Sequence, residues 1–337
     1  MSKKRVLLLV DGDMVAFSHC AAEEYGKSEE EISFPKIQMS MESKMLFIAQ
    51  RVQATDTICV ISGDDNMRHV IFPEYKANRD GVWRPENLRN AKGALITMFN
   101  GIKKNGLEAD DLISMLARFK YEIEMGKRGE IKSLNFQGIR DDYDEVVIAS
   151  LDKDLGTIVQ PDPRGAKIRY YRWETQDKGE KFTTCENPLG ELKLLIKTDS
   201  KGRKKKEIKG LGIKFFLWQL LTGDSTDGIM GCGVLEDKIY KTGAKAGQPY
   251  QRRSGVGAVE AFELIDPVTS YAEGLKTVMT QYIIRFGDGW KDELVKNGRL
   301  LYMANMVDDG HLVRMWHFDP KVKDRFNLKT MQLEPSA

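Results

Sequence analysis

The sequence predicts an α/β protein with a twisted, mostly parallel sheet and helices on both faces. Two observations carry this prediction. Residues 5–10, 57–62 and 145–150 are short, almost wholly apolar runs, the pattern of strands buried on both faces of a parallel sheet. Segments with helical spacing of apolar residues lie between them, and strands that alternate with helices form βαβ units.

The first half of the chain supplies most of these elements. RVLLLV forms the first predicted strand, and a helix is expected from about Pro35 to Gln53. After the second strand, TICVIS, the segment 84–105 has a helical pattern. A further helix is predicted to begin near Asp110, because the following apolar side chains recur at helical spacing at Leu112, Met115, Leu116 and Phe119.

The second half is more mixed. Residues 166–173 have strand character, and 213–221 predict a buried helix. The basic run within 199–210 is expected to form a solvated hairpin tip. Residues 254–265 look like a tight turn that opens a helix, and 266–337 mix helix and strand patterns without an evident role.

Composition excludes several classes of protein. The 337 residues have room for roughly two domains, and 52 basic against 50 acidic residues give a formal charge of +2. The four cysteines form no CxxC and show no regular spacing, which argues against a disulfide framework or zinc site and for a reducing, cytoplasmic setting. No apolar run approaches the ~20 residues of a membrane span.

Acidic residues follow each predicted buried strand. The acids at these three strand ends and at the start of the predicted helix are Asp11, Asp13, Asp64, Asp65, Asp152, Asp154, Glu108, Asp110 and Asp111. One such acid is usually a turn former or helix cap. Because the carboxyl ends of parallel strands share one edge, where ligands bind in open sheets, the whole set indicates a common site.

Carboxylates this close repel one another, and divalent cations relieve that repulsion. Oxygen ligands without nearby histidine or cysteine favour magnesium or manganese over zinc. Two such ions activate water and stabilise the entering and leaving oxygens of a phosphoryl displacement. The acids therefore indicate a metal site.

Three motifs in this order, GLEADDLI (106–113), SLDKDL (150–155) and GDSTDGI (223–229), resemble the flap endonuclease or 5′-nuclease family, in particular the bacteriophage 5′→3′ exonucleases. The resemblance runs over most of residues 5–265. It implies a PIN-like nuclease core at 1–205, an arch segment at about 65–105, and a helix–three-turn–helix DNA-binding region with a C-terminal region at 206–337.

The resemblance also implies which acids hold metal. It assigns two Mg²⁺ ions per site, with Mn²⁺ as a substitute, to Asp11, Asp64, Glu108, Asp110, Asp111, Asp152, Asp154, Asp224 and Asp227. Asp13 and Asp65 have no firm counterpart in the family.

The stretch 67–85 resembles the segment that leads into the family's arch. By this resemblance its DNA-binding residues are Arg68, Tyr75, Lys76, Arg79 and Arg84, and Lys76 and Arg79 are also assigned a catalytic role. Taken alone, the same composition would suit a solvated surface helix.

The turn Gly255-Val256-Gly257 resembles the second hairpin of the helix–three-turn–helix motif, which grips duplex DNA through backbone groups and often holds K⁺. A polar insertion, 241–253, separates it from Asp227. Four bases in this insertion are expected to reach phosphates, unless the insertion is a floppy loop: Lys241, Lys245, Arg252 and Arg253.

The resemblance thus implies a metal-dependent 5′→3′ exodeoxyribonuclease, with flap endonuclease and RNA-primer removal as associated activities. It implies duplex DNA with a 5′ end, nick or flap as partner, RNA–DNA hybrid and replication proteins as further partners, no membrane, and a role in phage replication, recombination or host DNA degradation. Two alternatives stay open at this point. One is a haloacid-dehalogenase-like phosphatase with Asp11 as nucleophile and Ser150 in its second motif. The other is a non-catalytic DNA-binding protein on a nuclease fold.

Overall fold

The computed structural model of the chain describes residues 4–162, 164–173, 181–198, 202–304 and 306–336. Its helices and strands are, in chain order, β1 (Val6–Asp11), α1 (Gly12–Glu24), α2 (Phe34–Arg51), β2 (Asp56–Val60), α3 (Met67–Ile71), α4 (Leu88–Phe99), α5 (Ala109–Arg118), β3 (Phe119–Met125), β4 (Ile131–Ile139), β5 (Glu145–Ala149), β6 (Lys167–Arg172), β7 (Lys181–Thr183), β8 (Glu191–Thr198), β9 (Lys204–Leu211), α6 (Gly212–Thr222), β10 (Gly233–Ile239), β11 (Pro249–Gly255), α7 (Ala258–Ile265), α8 (Tyr271–Phe286), α9 (Trp290–Leu301), β12 (Val307–Asp308), β13 (Leu312–Arg314), β14 (Arg325–Asn327) and β15 (Gln332–Glu334).

The central sheet has the strand order β2-β1-β5-β6-β7. Strands β2, β1, β5 and β6 are parallel, and β7 runs antiparallel to β6 at the edge. The predicted strands 5–10, 57–62, 145–150 and 166–173 are the four parallel ones. Their carboxyl ends therefore meet at one edge of the sheet.

Helices cover both faces of this sheet, as its apolar strands require. Leu7 and Leu9 of β1 point into one core, which α5 covers. Leu8 and Val10 point into the other, which α1, α2 and α4 cover. Since successive side chains of a strand point to opposite faces, an all-apolar strand such as β1 needs a helical layer on each side.

Helix α5 ends one residue earlier than its apolar stripe predicts. Arg118 is its last residue, and Phe119 begins β3, which forms an antiparallel hairpin with β4. This hairpin was not predicted. Its residues 119–125 alternate in polarity, FKYEIEM, which is the period of a strand rather than a helix.

The second half builds a third core around α6, which packs against α7, α8 and α9. Two antiparallel hairpins belong to this half, β8–β9 and β10–β11. Of the basic run predicted to be a solvated hairpin tip, residues 204–206 are exposed and lie in β9, whereas residues 199–201 lie outside the described part of the chain. Strands β12 to β15 form a separate antiparallel sheet. No helix in the described part of the chain has the length and apolar character needed to cross a membrane.

The predicted division at 205/206 falls inside β9, which pairs with β8 along its whole length. The predicted arch segment, 65–105, is also divided in the structure. Its second part, α4, is a core helix with Ala91 and Leu95 fully buried, so only the residues before α4 cross the edge of the sheet.

Candidate active site

The site begins where β1 and β5 end side by side. Asp11 is the last residue of β1 and caps α1, since its carboxylate accepts the backbone N–H of Met14 at 3.1 Å. The hydroxyl of Ser150, directly after β5, donates to Asp11 Oδ2 at 2.6 Å. The register of the parallel pair thus places the two strand ends in direct contact.

The next acids follow Ser150 in a short 3₁₀ turn, Lys153–Ile158. Asp152 caps this turn by accepting the backbone N–H of Asp154 at 2.8 Å. Tyr170 of β6 donates its hydroxyl to the backbone carbonyl of Asp152 at 2.6 Å. Gln219 of α6 donates to Asp154 Oδ1 at 2.7 Å, so the helix of the second half is tied to the acid pair after β5.

The carboxylates beside these strand ends lie close enough to change one another's pKa, and they are called the acidic row below. Burial first, then the charge of Asp13, raises the pKa of Asp11 to about 7. Burial and the neighbours Asp152 and Asp11 raise the pKa of Asp110 well above its usual range. Each of these groups is therefore held where a second negative charge is unfavourable.

The row continues to the turn after α6. Burial, Asp152 and Asp224 together raise the pKa of Asp154 to about 8. Asp224 is buried, with 6% of its surface exposed. Burial also raises the pKa of Asp152, and Asp227 and Asp224 add to that effect. The structure thus gathers seven predicted site acids: Asp11, Glu108, Asp110, Asp152, Asp154, Asp224 and Asp227.

The segment between α3 and α4 crosses this row and brings two bases, Lys76 and Arg79, to it; residues 72–87 are called the strap below. The Tyr75 hydroxyl donates to Glu108 and Asp227 at 3.0 Å each. Lys76 forms ion pairs with both acids, and Arg79 with Asp227. Burial alone would raise the pKa of Glu108, but nearby Arg68 and Lys76 lower it to about 2.

The strap is fixed at its middle and at its far end. At its middle, the side-chain amide of Asn78 donates to the carbonyls of Ser225 and Thr226 at 2.8 and 3.1 Å. At its far end, Glu24 of α1 accepts the backbone N–H groups of Glu86 and Asn87 at 2.6 and 3.1 Å. The strap therefore spans the sheet edge from the α6 side to the α1 side.

Two predicted metal ligands have other partners. Asp111 is fully buried, and the Arg68 guanidinium donates to both of its carboxylate oxygens, at 2.6 and 2.9 Å. Asp64 has 81% of its side chain exposed and pairs with Lys103 at 2.6 Å. In its place Asp13 lies beside Asp11, with Ser62 N–H at 3.4 Å and Lys92 at 2.9 Å.

Several predicted DNA-binding side chains are buried or make hydrogen bonds within the protein. Arg68 is 3% exposed because it pairs with Asp111, and Tyr75 is 2% exposed, so it has no free ring face for a base. Val256 is buried, whereas Gly255, Gly257 and Arg84 are exposed. Arg253 donates to three backbone carbonyls, while Lys241, Lys245 and Arg252 are exposed.

Sequence patterns did not identify Tyr170 or Gln219 as part of the site, and they singled out Ser150 only in the phosphatase alternative. Ser150 follows a buried strand and precedes Asp152, which was a usable pattern. Gln219 lies in the middle of an apolar helix, FFLWQLL, and a buried amide in such a helix needs a polar partner. Among the described residues, no three acids, histidines or cysteines already converge on one point as a metal cage.

Comparison with known proteins agrees with this geometry. The model of the family described as the 5′-3′ exonuclease, N-terminal resolvase-like domain matches residues 6–186, more than half of the chain. The chain belongs to this 5′-nuclease family. The resemblance drawn from the motifs is confirmed, and membership removes the haloacid-dehalogenase-like alternative.

Three solved structures are similar to the chain. The chain is similar to the T5 D15 protein co-crystallised with metal ions, at 17% identity over 88% of this chain and 89% of that one, with a TM-score of 0.53. It is also similar to a mutant T5 5′-exonuclease (17% identity, 88% and 85% covered, TM-score 0.46). A third match is the bacteriophage T5 D15 flap endonuclease with DNA and metal ions (17%, 88% and 95%, 0.45). The first match confirms the predicted fold class.

Proposed function

We propose that this protein hydrolyses phosphodiester bonds of DNA from the 5′ end in a reaction that depends on divalent metal. The observation that carries the proposal is the row of seven carboxylates at the carboxyl edge of the sheet, spanned by a strap with Lys76 and Arg79. Membership of the 5′-nuclease family supports the same reaction, and the T5 relatives were crystallised with metal ions and, in one case, with DNA.

The donor set fits Mg²⁺, with Mn²⁺ as a substitute, because it consists of carboxylate oxygens. Asp11, Asp110, Asp152, Asp154 and Asp224 would hold two ions. Burial and neighbouring carboxylates raise the pKa of Asp11, Asp110 and Asp154, and a cation offsets that repulsion. When bound, such ions supply an activated water and stabilise charge on the phosphate.

The strap would hold the phosphate beside these acids. Lys76 and Arg79 have 23% and 38% of their side chains exposed, so each can turn an N–H toward a ligand while staying near Glu108 and Asp227. Arginine and lysine bind phosphate oxygens without regard to base sequence. This contact would orient the scissile bond and favour attack in line.

The strap also supports a choice of strand end. Because it is fixed on both sides of the sheet edge, a strand that reaches the acids must pass beside it. We propose duplexes with a 5′ end, nick or flap as substrates, with RNA–DNA hybrids included as a second class. A K⁺ site at Gly255-Val256-Gly257 stays a prediction, tested by comparing duplex binding in potassium and sodium salts.

Digestion of 5′- and 3′-labelled duplexes, with Mg²⁺ and with chelator, tests the proposal. We expect metal-dependent release from the 5′ end, abolished in the Asp152→Ala variant. Asp64→Ala is the matched control, because Asp64 is an exposed aspartate outside the row and its loss should leave the rate unchanged. Duplex binding without cleavage in Mg²⁺ or Mn²⁺ would instead favour the non-catalytic DNA-binding alternative.

A further inference from the structure

The β10–β11 hairpin interrupts the DNA-binding motif that the sequence suggested. Strand β10 begins six residues after Asp227, and strand β11 ends at Gly255, at the start of the turn before α7. Its strands pair without a break from Gly233↔Gly255 to Ile239↔Pro249. The predicted insertion, 241–253, therefore divides into the second strand of a hairpin and the loop of residues 241–248 that joins its two strands; this hairpin with its loop is called the arm below.

Hydrogen bonds and close packing hold the base of this arm in place. The Arg253 guanidinium donates to the carbonyls of Leu221, Met230 and Val256 at 2.8, 2.8 and 3.0 Å. Gly233 packs so closely on Arg253 that a Cβ there would lie 2.7 Å from its Nε. Arg253, expected to contact DNA, instead fixes the direction in which the arm leaves α6.

The outer part of the arm has the opposite character. Residues 237–249 are exposed. Tyr240 and Tyr250 stack at 4.3 Å between ring centroids and stiffen the outer end. Among the residues that the structure describes, no carboxylate lies at ion-pair distance from Lys241, Lys245 or Arg252. Lys245 lies over the Tyr240 ring, 5.9 Å from its centroid, but exposed positive charge without a carboxylate partner fits a polyanion.

We propose that this arm is a second duplex-binding element, which contacts backbone phosphates away from the acidic row. The proposal rests on the proposed function, since it takes DNA as the substrate. At about 3.3 Å per residue the paired part alone reaches roughly 20 Å, and duplex DNA presents one charge per ~1.7 Å of axis. The arm can thus add contacts only where the duplex is long enough to meet it.

A protein partner is the competing occupant. Leu235 and Ile239 are 54% and 63% exposed and lie on the face of the hairpin opposite to Lys238 and Arg252, as the register requires. These two apolar side chains are separate from each other, whereas the lysines at the tip have no carboxylate partner. We therefore favour DNA over a protein as the partner of the arm.

Two variants test the arm in the full-length protein. In the first, residues 239–249 are replaced by Asn-Gly, because Lys238 and Tyr250 pair directly and a two-residue turn can join them. The second is Lys241→Glu with Lys245→Glu, which keeps the arm intact. The matched control is Lys204→Glu with Lys206→Glu, the same charge change at exposed positions of the β8–β9 hairpin.

Binding to labelled duplexes of increasing length is measured in chelator at several salt concentrations. We expect both arm variants to bind long duplexes roughly tenfold more weakly, with a salt slope lower by about 2. Binding to the shortest duplexes and the single-turnover rate at saturating DNA should stay unchanged, and the control should match wild type.

An unchanged salt slope in the Lys241→Glu, Lys245→Glu variant would overturn the proposal, as would an equal loss in the control. Loss at every duplex length would also count against an arm that acts beyond the site. A wild-type protein that binds no duplex would defeat the proposed function itself, which is a separate result.

Discussion

Asp152 and Asp154 are held by hydrogen bonds from their own turn and from Gln219, so replacing either alters the acidic row without moving β5. We expect Asp152→Ala or Asp154→Ala to slow cleavage about a thousandfold, roughly 4 kcal/mol of transition-state stabilisation. Duplex binding should survive, because fewer acids repel phosphates less. Single-turnover cleavage and binding in chelator measure the two effects; near-normal turnover in both variants would contradict the metal assignment.

Asp224 is expected to matter less than Asp152, because it lies at the end of the row on the α6 side. Asp224→Asn should give a milder loss of rate, partly restored by raised Mn²⁺, since a weakened site refills by mass action. The rate is measured across a range of Mn²⁺ concentrations for this variant and for Asp152→Ala. A lowered melting temperature with unchanged metal dependence would show that Asp224 only shapes its turn.

Arg68 links three parts of the chain that are far apart in sequence. It donates to Glu108 and Asp111, at the start of α5, and to the carbonyls of Leu300 and Tyr302. Removing one partner of a buried ion pair leaves the other charge unpaired, which typically costs 3–5 kcal/mol. We expect Arg68→Gln to lower the free energy of unfolding by about that amount, measured by urea denaturation.

The matched control for this change is Arg140→Gln. Arg140 is also buried and donates to backbone carbonyls, of Leu116 and Phe119, but it contacts none of the acids in the row. Both variants should lose stability, whereas only Arg68→Gln should change Mn²⁺ binding, because of the two arginines only Arg68 contacts an acid of the row, Glu108. Equal Mn²⁺ affinity in the two variants would show that Arg68 is merely structural.

The strap is the element that we expect to help select the end of a DNA strand, because a cluster of carboxylates alone does not distinguish one end from the other. Lys76→Ala or Arg79→Ala should weaken duplex binding for all sequences and lower the salt slope by about 1 for each lost contact. Turnover should also fall, since the scissile bond is held less well in line. Cleavage of 5′-labelled duplex at several salt concentrations measures both effects.

Lys36 of α2, an exposed lysine outside the strap, supplies the control for these two variants. Lys36→Ala should leave the rate and salt slope unchanged. If Lys76→Ala and Arg79→Ala do the same, the strap is only a solvated surface, and the selection of the 5′ end must come from the region around Gly255.

The elements that sequence predicted well are those with one strong pattern. Strand β1 is apolar at five successive positions, and only a sheet buried on both faces uses such a run. Hairpin β3–β4 was missed because Phe119 fits both the helical stripe of α5 and the alternation of β3. Local sequence cannot separate these until β4 supplies a pairing partner.

The same limit applies within the site, where the structure separates two acids that the sequence treats alike. Asp110 and Asp111 are adjacent acids, and nothing in GLEADDLI distinguishes them. Asp111 is set apart by Arg68 and by the backbone N–H of Ala304, at 2.8 Å, which lies 193 residues later. A pattern that is confined to eight residues carries no information about such a partner.

At the scale of the whole molecule, the C-terminal region completes the nuclease core. Side chains from this region share one core with β1, β5 and α5; they are Met303, Ala304, Val307, Val313, Met315, Phe326 and Leu328. Together with the contacts of Arg68, this packing gives these C-terminal residues a structural role against α5. The region is therefore not expected to unfold independently of the central sheet.

Phe326 offers the sharpest test, because it is fully buried in this shared core. Phe326→Ala should lower the free energy of unfolding by about 3–5 kcal/mol, and it should shift the main unfolding transition. Phe47→Ala on α2 is the control, since Phe47 is 46% exposed and its loss should have a much smaller effect. Urea unfolding is followed by far-ultraviolet circular dichroism and by loss of duplex binding, which should change together. An early, separate transition in the Phe326→Ala variant, with duplex binding retained, would show that the C-terminal region is an independent unit rather than part of the nuclease core.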